Sequence, residues 1–162
     1  MTIAHVKNHL ERQSELLAEF GQREADLQEA IIERDWQTMD AVIPELERLG
    51  TELEALERDR EAAVSASKAE LGVSPEAPFP ELLSRVEPGD RAELASLYRD
   101  LQIAVLRVKN QTSGIDAYVR NSVRTANTVL GEIFPERKGT LYSKTGTHTR
   151  AHGSAIVLDH EL

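Results

Sequence analysis

A chain of 162 residues is long enough for one domain with a real core, yet only 4 % of its residues are aromatic and none is Cys. The missing thiols exclude a disulfide frame and a thiolate metal site, and the abundance of Leu, Ala, Glu and Arg is the composition of long helices rather than of a ring-packed globule. The net charge of −9 falls on residues 1–72, with 8 Lys and Arg against 17 Asp and Glu, which excludes nucleic acid as a partner because that needs a cationic face.

The first residues, "MTIAHVKNHLERQ", lack the apolar core of a signal peptide, and no stretch approaches about 18 apolar residues. A cytoplasmic protein without membrane insertion is expected. The final Asp159-His-Glu-Leu162 has the wrong order for a retrieval signal.

From Ile3 the apolar positions run Ile3, Val6, Leu10, Leu17, Phe20, Leu27 and Ile31, in steps of three and four that mark one helical face. Gln13 and Glu24 fall on that face as weak points. A helix over about 3–34 is predicted. Asp35 then offers an N-cap, and the face restarts at Met39, Val42, Leu46, Leu49, Leu53, Leu56 and Ala63, interrupted at Arg60. The second helix is predicted over about 36–71, ending at a Gly72 C-cap. Pro44 either kinks it or marks a delayed start.

The stretch "GVSPEAPFP" (72–80) holds three prolines and reads as a connector, and "PELLSRV" (80–86) as a short helix with proline in its first turn. Asp90 is a candidate cap for the longest element, predicted over about 90–134. Its spacing runs through Leu94, Leu97, Leu101, Ala104, Val108, Ile115, Tyr118 or Val119, Ser122, Ala126, Val129 or Leu130 and Ile133. Residues 135–162 have no helical period, are rich in Gly, Thr and Ser, and read as a flexible tail. Ala155-Ile-Val-Leu158 is apolar enough to dock, and whether it does is open.

The expected fold is all-α: an elongated antiparallel helical hairpin with a third long helix packed alongside, a short connecting helix and a mobile C-terminal tail. The bundle takes residues 1–134. At about 1.5 Å per residue the last helix outruns the hairpin, so its C-terminal turns overhang the hairpin turn without an internal partner. Trp36, at that turn, is expected to pack against the last helix, with a partner-facing ring as the alternative.

Catalytic readings fail. Ser65-Ala-Ser-Lys68 and Lys144-Thr-Gly146 match two parts of the penicillin-binding signature, but the middle motif and the sheet that carries it are missing. His5 with His9, and His148 with His152, stand four apart without the further ligands a metal needs. No phosphate-loop pattern occurs around Gly139–Gly146. No enzyme activity and no cofactor are implied; the function is binding.

The segment "EAIIERDWQTMDAVIPELERLGTELEALERDREAAV", then "PELLSRV", "RAELASLYRDLQ", "LRVKNQTSGIDAYV" with its Asn110, and "LYSKTG" with Tyr142, follow one another in a set order. That order resembles the FlgN-type flagellar export chaperones. Gly114, where a second asparagine is frequent, and Pro44 depart from the pattern. The resemblance implies a bacterial cytoplasmic chaperone for flagellar hook-associated proteins. It would bind their terminal helical segments, prevent premature assembly and deliver them to the type III export gate at the membrane. Cargo binding is expected at Tyr118, Val119, Val123, Val129, Leu130, Ile133 and Phe134, in the helix-in-groove mode. The competing expectation is that Tyr118 and some of the valines are bundle core. Tyr142 resembles the tail tyrosine that engages the cytoplasmic domain of the export gate. A self-associating coiled-coil module, homodimeric when free, is the alternative. Which hook-associated protein is the cargo stays open.

Overall fold

The computed structural model describes residues 2–134, 141–142 and 148–149. Four helices follow in order: α1 (Thr2–Glu33), α2 (Trp36–Glu70), α3 (Phe79–Arg85) and α4 (Pro88–Ile133). Two short strands, β1 (Leu141–Tyr142) and β2 (His148–Thr149), pair antiparallel, with Leu141 opposite Thr149 and Tyr142 opposite His148. The rest of the predicted tail, including 155–158, lies outside the described residues. By internal contacts the chain divides into two units, Met1–Ala117 and Tyr118–Leu162.

In the first unit α1 and α2 form an antiparallel hairpin. Ion pairs Arg12–Glu52 (3.1 Å), Arg48–Glu19 (3.7 Å) and Arg23–Glu45 (3.6 Å) mark its register. Such surface pairs specify alignment more than they stabilise. The stabilising face is apolar, with Val6, Leu10, Leu16 and Leu17 of α1 and Val42 and Leu49 of α2 buried. Leu16 lies off the single stripe expected for α1. It is buried because α1 meets more than one neighbour, which widens its covered face beyond the seam of a simple pair.

The hairpin turn has only two residues between its helices. Asp35 N–H donates to Ala30 O (2.9 Å) and Arg34 N–H to Ile31 O (3.3 Å), the paired bonds of a Schellman motif. Arg34 takes the left-handed conformation (φ 58°) that this motif requires, where glycine is the ordinary choice. Asp35 then caps α2, its Oδ1 accepting from Thr38 N–H (3.1 Å), and the Thr38 hydroxyl and amide hold the carboxyl below the usual range. At the far end the motif recurs with the expected glycine: Val73 N–H donates to Lys68 O (2.9 Å) and Gly72 N–H to Ala69 O (3.4 Å), with Gly72 at φ 65°. Between these ends α2 runs through Pro44, so the helix starts at Trp36 and not at the proline.

The connector after α2 is more than a linker. Val73, Ala77, Phe79, Leu82 and Val86 are buried in one cluster with Val6, Leu10 and Leu17 of α1 and Leu94 and Leu101 of α4. Prolines restrict the backbone here without excluding it from the core, and the Phe79 ring stacks on Tyr98 at 4.2 Å. Pro88, not Asp90, opens α4. Asp90 lies in the first turn and pairs with Lys7 (2.8 Å), which also pairs with Glu93. Arg91 reaches back to Val86 O (2.8 Å) and Ser84 O (3.1 Å), satisfying carbonyls at the end of α3.

Candidate functional site

Within the first unit α4 runs parallel to α1. Lys7 meets Asp90 and Glu93, and further along Gln111 Nε2 donates to Gly21 O (3.2 Å) while the Thr112 hydroxyl donates to Glu24. A Cβ built on Gly21 would stand 3.8 Å from Val108 Cγ2, in ordinary van der Waals contact, so the helices meet here without requiring glycine. The two polar residues on the face of α1 are both buried. Gln13 donates to Glu57 Oε2 (2.6 Å), and Arg60 Nε donates to the same oxygen (3.0 Å). Arg60 first, then Gln13, hold the Glu57 carboxyl below its usual range. Arg60, an interruption by sequence, thus completes a polar layer. Gln13 Oε1 and Glu24 Oε2 are each buried without a hydrogen-bond partner, and burial pushes the Glu24 pKa up against the lowering effect of Thr112.

Beyond this layer the burial of α4 ends. Leu94 and Leu101 are buried, whereas every residue from Asp116 to Phe134 is exposed. The apolar spacing nevertheless continues. Tyr118, Val119, Ser122, Val123, Ala126, Val129, Leu130, Ile133 and Phe134 fall within an arc of about 160° at 3.6 residues per turn. Arg120, Arg124, Asn127, Thr128 and Glu132 take the rest of the circumference. The helix ends at Ile133, and the Phe134 N–H that follows donates to Leu130 O (2.8 Å).

All seven residues expected to bind cargo lie on this face, from 39 % exposed at Val119 to 61 % at Ile133. None is core. Seven large apolar side chains exposed side by side on one helix are more than the single exposed residues that need no explanation. A fully amphipathic helix with its apolar face in water is set up to be covered by another helix. Tyr142 lies on β1, its backbone opposite His148, outside this face in sequence.

The model of the FlgN family (FlgN protein) matches residues 1–150. The chain belongs to the FlgN family. No curated protein and no solved structure matches it. FlgN proteins are flagellar export chaperones that bind flagellar proteins, a family of chaperones and not of enzymes.

Lys68, of the S-x-x-K match, donates to Pro75 O (2.8 Å) and secures the connector. Lys144-Thr-Gly146 lies outside the described residues. No helix among the described residues is long and apolar enough to cross a membrane. Sequence reasoning missed Ile103 and Leu106, which are exposed on the first half of α4, away from the apolar arc, and it preferred a packed Trp36, whereas the ring is 69 % exposed, in line with the alternative reading. The position of Trp36 directly after the capping Asp35, ahead of the buried seam, was the signal for the latter.

Proposed function

We propose that this FlgN-family protein binds the terminal helical segment of flagellar hook-associated proteins on the apolar face of α4, in the bacterial cytoplasm. It keeps them from assembling prematurely and delivers them to the type III export gate. The observation that carries this reading is the exposed arc of Tyr118, Val119, Val123, Val129, Leu130, Ile133 and Phe134. A terminal segment that buries its own apolar face only after assembly is sticky beforehand, and this arc offers the complementary surface. Ordering such a segment costs several kcal/mol, which keeps affinity moderate and release feasible. Tyr142 is the residue we assign to the gate, a ring that combines apolar area with one hydroxyl.

The test is light scattering and calorimetry with the terminal segment of a hook-associated protein from the same genome. A one-to-one complex is expected. Val129→Asp with Ile133→Asp should abolish it and leave helicity by circular dichroism intact; binding retained by that variant overturns the assignment. Tyr142→Ala should leave cargo affinity unchanged and weaken docking of the loaded complex to the gate's cytoplasmic domain. The same exposed arc favours a second reading, a homodimer closed over two copies of α4. A stable dimer indifferent to the cargo segment would establish it instead.

A further inference from the structure

The turn between α1 and α2 carries a second exposed apolar group, outside the arc assigned to cargo. Trp36, the only tryptophan of the chain, is 69 % exposed, and Ile32 and Ile43 are 57 % and 40 % exposed. Trp36, Met39 and Ile43 are spaced i, i+3, i+7, so they share one face of α2. Val42 and Leu49, toward α1, are buried. The turn has no need of the ring: its backbone bonds and the Asp35 cap are complete without it. A large apolar ring held in water at a rigid two-residue turn is a feature of recognition surfaces.

The surroundings restrict what can cover it. Residues 26–47 hold seven carboxylates and one arginine, Arg34. Asp26 and Glu45 share Arg23, and Asp35 is the cap. Glu29, Glu33, Asp40 and Glu47 are exposed and have no ion-pair partner among the described residues. Such a rim repels an anionic lipid surface, a nucleic acid or an acidic protein, and attracts a cationic one. We propose that the α1–α2 turn is a docking site for a partner protein's amphipathic helix that carries Lys or Arg beside an apolar face. Trp36 is the anchor and the carboxylates select the charge. The site is separate in sequence from the arc on α4 and serves a partner other than the cargo.

Because Trp36 is the sole tryptophan, its emission reports the site directly. The probe is a synthetic 18-residue amphipathic helix of Leu and Lys, with the Leu and Glu version as control, added to the full chain. The expected result is a saturable blue shift with the Lys peptide and none with the Glu peptide. Glu33→Lys with Asp40→Lys, at two exposed positions, should weaken binding tenfold or more with the circular dichroism spectrum unchanged. The Val129→Asp, Ile133→Asp variant should keep the shift, which separates this site from the cargo face. No shift, an equal shift with the Glu peptide, an undiminished shift in the charge-reversed variant, or loss of the shift in the cargo-face variant overturns the proposal. A blue shift on concentrating the protein alone, with a doubling of mass, also overturns it and assigns the turn to a second copy of the chain.

Discussion

The two stretches of α4, 88–117 and 118–133, share one apolar spacing and differ in what covers it. In the first, Leu94 and Leu101 are buried with Val6, Leu10, Leu17 and the connector residues from Val73 to Val86. In the second, Val119, Val123, Val129, Leu130 and Ile133 at the same spacing are exposed, and the positions between them include Asn121, Thr125, Asn127, Thr128 and Gly131, which are mediocre helix formers, beside Arg120, Arg124 and Glu132. Periodicity records which side of a helix is apolar, and says nothing of what that side meets.

The largest effect should come from breaking the first stretch. Leu101→Ala removes a buried side chain from the cluster and should cost about 2–5 kcal/mol in denaturant unfolding. The paired Val129→Asp, Ile133→Asp variant should change stability by no more than about 0.5 kcal/mol, since exposed substitutions ordinarily fall in that range. If the two cost the same, the contrast between the stretches is wrong.

Glu24 probes the last buried layer before the change. Its carboxyl is pushed up by burial, so its folded-state pKa lies above the unfolded value. Such a group favours folding below the unfolded pKa, and that contribution is lost as pH rises through the folded pKa. Glu24→Gln should therefore melt above the parent at pH 7, with the difference shrinking as pH falls through the carboxylate range. A gain independent of pH would mean that the amide improves packing and that charge burial is not the cause.

The smallest effect tests the second stretch without touching its apolar face. Nothing lies within 4 Å of a Cβ built on Gly131, which falls on the polar side of α4. Gly131→Ala should favour the local helix by about 0.8 kcal/mol. Global unfolding should be unchanged, and cargo affinity should rise by up to about fourfold through preorganisation. An unchanged affinity by calorimetry would show that this stretch is already fully helical in the free protein.

Much of the fold was legible because hairpins of long helices announce themselves locally. The apolar steps of α1, α2 and α4, the Asp35 cap and the Gly72 stop all depend on neighbours within a few residues. The features that were not legible depend on distant partners. The proline-rich connector gave no hint that Val73, Ala77 and Phe79 would enter the core. Gln13, Glu24 and Arg60 looked like flaws and are buried or half-buried polar contacts, because Glu57 and Thr112 come to meet them. Arg34 in a left-handed conformation could not be read from its type, since only the paired bonds of the turn force it there.

At the candidate site the amphipathic arc of 118–134 was readable residue by residue, and helix lengths already led to the expectation that it outruns its partners, with bundle core as the competing expectation for Tyr118 and some valines. Sequence by itself determined the helical class, the order of the elements, and the apolar side of each helix, since these follow from backbone geometry and spacing. Tertiary structure alone decided that the apolar side of α4 is buried at Leu94 and Leu101 and exposed from Tyr118 on. It alone decided that Trp36 faces water. Burial is a property of two surfaces, and a single stretch of chain encodes only one of them.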